Sequence, residues 1–223
     1  MRVPALIVAA GSGQRLGAGG PKALVELAGR PLYAWSVDAF RQANNIDRIY
    51  VAVPPGRADL FTEPGIVTVE GGETRSHSVA NGLEAIKADG DPAMVVVHDA
   101  ARPLVPAALI DAAVIGLGSD TELHALIAAA PMTDTVKRLG GDGVVVETLD
   151  RSSLVAVQTP QVFRVEALER ALESGDLAGA TDDASLVEAS GGSVGVIEAS
   201  SGNIKVTVPG DLELATLLLQ RNR

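Results

Sequence analysis

The stretch "AMVVVHDAARP", residues 93–103, constrains the fold more than any other part of the chain. It is continuously apolar until His98 and Asp99, as a strand covered on both faces must be. Such a strand needs helices above and below its sheet, and the flanking sequence supplies them. A first strand over about Ala5–Ala9 precedes "GRPLYAWSVDAFRQA", which reads as a helix from near Pro31, where a first-turn proline is tolerated. Strands follow near Ile49–Val53 and in "IVTVEGG". "TRSHSVANGLEAIKA" then sets Val79, Leu83 and Ile86 at helical spacing, with Thr74 as N-cap. "PAALIDAAVIGLG" adds a helix and "ALIAAAP" a strand. This β-then-α rhythm implies an α/β fold with a mostly parallel sheet.

After residue 131 the pattern changes. "TDTVKRLGGDGVVVETLDRSSL" alternates, turns at Gly140–Gly143 and alternates again, the signature of a β-hairpin. It carries too little apolar bulk for a core of its own, so an arm inserted at about 134–158 is expected to pack against another subunit. The tail supplies helices near Val165–Leu172 and Asp182–Ala189, a strand near Val194–Ile197 and a final helix from Asp211. One domain, 1–223, accommodates all of these elements.

The first strand feeds "AAGSGQRLGAGGPKAL". A Walker A loop needs lysine directly after glycine and a hydroxyl next. Here Pro21 precedes Lys22 and Ala23 follows. A dinucleotide fingerprint fails as well, because Leu16 stands where the third glycine belongs after Gly11 and Gly13. What fits is a long loop whose backbone N–H groups cradle phosphates, with Arg15 and Lys22 as cationic clamps; the alternative is a surface loop with two solvated charges.

Asp99 falls at the C-terminal end of a central strand, where open α/β sheets bind ligands. A lone carboxylate there suits Mg2+ shared with substrate phosphates, or else caps the following turn. Arg102 is within reach of the same crevice, whereas His98 alternates away and is expected to be structural. "GGETRSHSVANGL" offers the Gly72 backbone and Ser78 to a polar ligand, or ordinary helix capping. Lys205, one of only four lysines, alternates with apolar neighbours and either snorkels or enters a site.

A net charge of −10 argues against nucleic acid as partner. No uncharged run reaches the roughly 18 apolar residues of a membrane span, and Arg2 precedes a short apolar run with no cleavage pattern. No membrane partner and a cytoplasmic location are therefore expected. Without cysteine there is no thiolate chemistry, and no histidine sits in a triad or zinc pattern. Cations, one carboxylate and glycine loops suit phosphoryl or nucleotidyl transfer.

The ordered set "AAGSGQRL", "PK", "GGETRSHSV", "HDAARP", "DTVKR", "DRSSL", "QTPQVF", "TDDAS" and "NIKVTVPGDL" resembles the 2-C-methyl-D-erythritol 4-phosphate cytidylyltransferases over about Leu6–Ala215. The resemblance implies a Rossmann-like nucleotidyltransferase sheet with a β-hairpin dimerisation arm, and transfer of CMP from CTP to a polyol phosphate with release of pyrophosphate. It implies that Arg15, Lys22 and Lys205 are catalytic, that Ala9, Ala10, Gly11, Gly13, Gly72 and Ser78 bind the nucleotide, and that Asp99 holds Mg2+ or another divalent cation. Arg102, Thr135, Arg151, Thr159 and Thr181 would bind the polyol phosphate, with Arg151 and the arm threonine reaching a partner's site in a homodimer. Val8, Ala23 and Val155 depart from the usual proline, glutamine and tryptophan and leave the charged set intact. Alternatives are a ribitol 5-phosphate cytidylyltransferase and, from a different class, a non-catalytic nucleotide sensor.

Overall fold

A computed structural model describes residues 2–13, 16–17 and 19–221. In chain order the strands are β1 (Val3–Val8), β2 (Glu26–Leu27), β3 (Arg30–Pro31), β4 (Ile46–Val53), β5 (Ile66–Glu70), β6 (Met94–Asp99), β7 (Ala125–Pro131), β8 (Lys137–Leu139), β9 (Val145–Thr148), β10 (Val155–Arg164) and β11 (Val194–Glu198). The helices are α1 (Leu32–Gln42), α2 (Arg75–Asp89), α3 (Ala107–Ser119), α4 (Val165–Ser174), α5 (Asp183–Ala189) and α6 (Pro209–Arg221).

Seven strands form the main sheet in the order β11-β7-β10-β6-β1-β4-β5. All of its neighbours pair parallel except β10, which runs antiparallel to β6 and β7. Period-two alternation explains the two cores. Ala5, Ile7 and Val96 face α1 and α3, where Val37, Phe40 and Ile110 complete the layer. Leu6, Val95 and Val97 face the opposite side, meeting Val79 and Leu83 of α2 and Leu168 of α4. A smaller cluster at one end joins Leu27 and Leu32 to Val206 and to Ala215 of α6.

Strand β10 is the element that the sequence pattern hides. "VAVQTPQVFR" has polar residues and a proline at its centre, which argues against an interior strand. The structure accommodates them with a register shift between Val157 and Gln161 on the β7 side and a cis Thr159–Pro160 peptide. The buried amide N–H groups find acceptors: Asn203 Nδ2 donates to Gln158 Oε1 at 2.8 Å, and Gln161 Nε2 donates to Asp182 Oδ2 at 2.8 Å.

The expected arm is present as a separate two-stranded sheet of β8 and β9. Its boundary differs from the expectation, since Val155, Ala156 and Val157 already pair with Pro131, Ala130 and Ala129 in the main sheet. The arm is thus an enlarged connection within the β7–β10 hairpin, ending by residue 154. Every residue of β8 and β9 is exposed.

Candidate active site

At the C-terminal end of the sheet, Val8 and Asp99 are register partners on adjacent parallel strands. The glycine loop therefore leaves β1 beside the carboxylate on β6. Order also reverses here, with the chain passing from β1 to β4 on one side and later to β6 on the other, and such a switch point opens a crevice. A cleft of about 540 Å³ occupies it. Its floor and walls bring together Ala9, Ala10, Gly11 and Gly13, Lys22, Gly72, Ser78, Asp99 and Lys205. Arg15 lies outside the described residues.

Local chemistry shapes each wall. Gly13 has φ +70, and a Cβ there would stand 2.8 Å from Lys22 Cβ, so only glycine lets the loop fold this closely over the lysine. Lys22 N–H donates to Gly11 O at 3.1 Å, closing the loop. On the facing wall Thr74 caps α2 by accepting from His77 N–H at 3.2 Å. Ser78 is not the cap. Its hydroxyl donates to Thr74 O at 2.9 Å and accepts from Gly72 N–H at 3.1 Å, which fixes the turn that enters the helix.

Asp99 is the electrostatic centre. Its Oδ1 accepts from Arg75 Nε at 3.0 Å and its Oδ2 lies 2.7 Å from Lys205 Nζ. Burial alone would push this carboxyl up, but Arg75 and Lys205 hold it well below the usual carboxylate range. Lys205, in turn, rides on a segment anchored under the cleft: Val206 N–H donates to Ala101 O at 2.8 Å, and Asn203 Nδ2 donates to Thr159 O at 2.9 Å.

His98 and Thr159 form a buried support beneath Asp99. The carbonyl of Arg102 can only accept, so His98 Nε2 carries the proton and donates to it at 3.2 Å. His98 Nδ1 then accepts from the Thr159 hydroxyl at 2.9 Å, while the same hydroxyl accepts from Asp99 N–H at 3.0 Å. Burial pushes the imidazole down to about 4, so it is neutral and structural, as expected from its alternation.

The acceptor set is not gathered in the cleft. Thr159 is buried with its hydroxyl committed to Asp99 and His98. The Arg102 guanidinium donates to Asn203 O at 2.8 Å and Val157 O at 3.2 Å, and burial lowers its pKa. Thr135 and Arg151 are exposed at the base of the arm, where Arg151 Nη1 donates to Thr133 O at 2.5 Å. Thr181 is exposed ahead of α5. The charged cleft residue with most consequence that the sequence reading missed is Arg75, which joins Asp99 to the fully buried Asp183. The available signal was a cation in the first turn of a helix, where the dipole disfavours it.

A glycine loop, one carboxylate and converging cations at a sheet switch point describe a nucleotide site, and the full chain decides which one. The family model described as IspD, 2-C-methyl-D-erythritol 4-phosphate cytidylyltransferase, matches residues 3–221. The chain belongs to that family. It is 45% identical to the 2-C-methyl-D-erythritol 4-phosphate cytidylyltransferase of Prochlorococcus marinus, over 96% of each chain. It is 44% identical to that of Frankia casuarinae, covering 99% of this chain and 82% of the relative. The crystal structure of the Thermus thermophilus enzyme superposes with a TM-score of 0.78 at 36% identity, over 99% of this chain and 100% of that one. As an IspD-family cytidylyltransferase, the chain transfers CMP from CTP to 2-C-methyl-D-erythritol 4-phosphate in the non-mevalonate route to isoprenoid precursors. Among the described residues, no helix is long and apolar enough to cross a membrane.

Proposed function

We propose that CTP occupies the cleft with its base and ribose against Ala9, Ala10, Gly11, Gly13, Gly72 and Ser78, and its triphosphate between Lys22, with Arg15, and Lys205. The observation that carries this is the Val8–Asp99 register, which sets the glycine loop beside Asp99 in a cleft that the start of α2 and the Lys205 segment also line. A phosphate oxygen of the acceptor attacks the α-phosphorus, the bond to the β-phosphate bridge breaks, and pyrophosphate leaves. An ionised phosphate needs no general base. The work of the side chains is to align the phosphates and offset charge that builds in the transition state.

The donor set fits Mg2+. Asp99 offers a hard carboxylate oxygen at the cleft, and among the described residues no group of three or more His, Cys, Asp or Glu could cage a metal alone. One carboxylate plus substrate phosphates is an arrangement this ion accepts. When bound, the cation would neutralise phosphate charge, with Asp99 as the residue that would hold it. Lys205, whose side chain is 43% exposed, could then turn from Asp99 to a phosphate oxygen.

The acceptor phosphate is assigned to Arg102 and Thr181, with Thr135 and Arg151 supplied by a second subunit. Thr159 contributes by fixing Asp99 from below. Support for the second subunit comes from the arm: a lone two-stranded hairpin is marginal in water, and here Leu139, Val144, Val145 and Val146 all stand more than half exposed. Another copy of the chain is the economical cover. A cytoplasmic location belongs to the same proposal and is tested by fractionation.

The deciding assay offers CTP and Mg2+ with 2-C-methyl-D-erythritol 4-phosphate or ribitol 5-phosphate and follows pyrophosphate release. Turnover should favour the methylerythritol acceptor. A far higher kcat/KM for ribitol 5-phosphate would overturn the acceptor assignment. Sedimentation should find a dimer.

A further inference from the structure

Arg75 stands in an unfavourable place for a cation, the first residue of α2, where helix N–H groups already concentrate positive charge. Its side chain is 23% exposed and bridges two carboxylates. Nε donates to Asp99 Oδ1 at 3.0 Å, and Nη1 donates to Asp183 Oδ2. Asp183 is wholly buried at the first position of α5, immediately after the Thr181–Asp182 pair. Among the described residues its second oxygen, Oδ1, has no hydrogen-bond partner, although the Ser76 hydroxyl also helps to keep the carboxyl charged. A buried carboxylate is costly unless a charge compensates it, and here the compensating cation is the same guanidinium that reaches Asp99 in the cleft.

The two limbs have different consequences. The Asp183 limb sets where the guanidinium sits, because α5 packs against α4 and cannot follow a moving side chain. The Asp99 limb engages one oxygen only. Lys205 holds the other, and Lys205 is also a cation assigned above to the triphosphate. When Lys205 leaves for the substrate, Arg75 is what keeps Asp99 in place and compensated.

We propose that Arg75 is a positioning residue for nucleotidyl transfer: anchored by Asp183, it holds Asp99 through Oδ1 so that Oδ2 stays available to the phosphates and their cation. The inference rests on the assignment of Asp99 to the working cleft. It also ties the segment carrying Thr181, on the acceptor side, to the nucleotide side through one guanidinium.

The test separates positioning from packing. Arg75→Met leaves Asp183 buried and unpaired, so it loses both thermal stability and kcat. The double variant Arg75→Met/Asp183→Asn removes the buried charge at both ends and regains melting temperature. If Arg75 positions Asp99, kcat of the double variant stays down by about a hundredfold, the scale of a small misplacement at a reacting centre, while KM for CTP changes less than threefold. A double variant that regains full kcat along with its stability overturns the proposal. Arg75→Lys guards against a double variant that does not fold: it keeps the charge and loses the second limb. Its kcat should fall about tenfold, on the lower edge of the same scale, and full kcat would likewise overturn the proposal. Asp99→Asn is measured alongside. Full activity there brings down the role of Asp99 and this inference with it, whereas an impaired Asp99→Asn beside a fully active double variant brings down the Arg75 inference alone.

Discussion

The nucleotide cleft and the arm are opposite solutions to placing functional side chains. Among the described residues of the cleft, the central side chains are held by others of the same chain: Asp99 by Arg75, Lys205 and the Thr159 hydroxyl, Ser78 by Thr74, the Lys205 segment by Ala101 and, through Asn203, by Gln158 and Thr159. In the arm, β8 and β9 are held by each other and by surface pairs such as Arg138–Glu147 at 2.9 Å, which contribute little in water. The cleft is finished by folding. The arm is finished by a partner, under the dimer proposed above, so nucleotide binding belongs to one chain and acceptor turnover to two.

The most severe break in that contrast is Lys22→Ala. It should lower kcat by about a hundredfold or more, as removal of one preorganised transition-state contact does, with a smaller change in CTP affinity. A near-normal kcat in steady-state assays would take Lys22 out of the mechanism. Next in size, Asp99→Asn should raise the Mg2+ concentration needed for half-maximal activity by about tenfold, because one anionic ligand is lost. An unchanged Mg2+ titration would return Asp99 to a purely structural part.

The division between one chain and two is sharpened by mixing inactive Lys22→Ala with inactive Arg151→Ala under verified subunit exchange. Half of the dimers are then hybrids with one intact composite site each, so about a quarter of wild-type activity should return. No recovery would place Arg151 in its own subunit's chemistry or outside the chemistry altogether.

The smallest effect concerns stability. The folded-state pKa of His98 is depressed to about 4 by burial, against an unfolded value near 6.5. Between those values the unfolded chain binds more protons, so stability rises with pH through the window and is lost on acidification. The loss from pH 7 to pH 5.5 should be about 1 kcal/mol. Denaturant titrations of His98→Gln should lack this acid limb, and an identical limb would assign it to other groups. Arm residues, being exposed, should leave this profile unmoved.

The same contrast explains what was legible in the sequence. Strands and helices of the parallel half were readable because burial on both faces writes itself as unbroken apolar runs, as in Met94–Val97. The cleft was readable where it depends on residues near in sequence, such as the glycine loop, Thr74 and Ser78. Strand β10 was not, because its polar centre is satisfied by residues far along the chain, Asn203 for Gln158 and Asp182 for Gln161. Thr159 illustrates the cost of transferring a role by motif alone. Its hydroxyl faces Asp99 N–H and His98, a placement that depends on two strands some 60 residues apart in sequence, β6 and β10, coming together. Arg75 was missed since its two partners lie 24 and 108 residues away.

The antiparallel strand also sets a timetable. Of the main-sheet strands, β6, β1, β4 and β5 neighbour one another and lie within the first 99 residues, whereas both neighbours of β7 are β10 and β11, made later. A nascent chain that has emerged only as far as residue 154 therefore holds all four strands of that half of the sheet and much of the nucleotide wall, with β6 as an open edge and β7 still without either neighbour. Ten further residues supply the one strand that pairs with both β6 and β7. The arm, lying between them, leaves the ribosome before the strand that roots it.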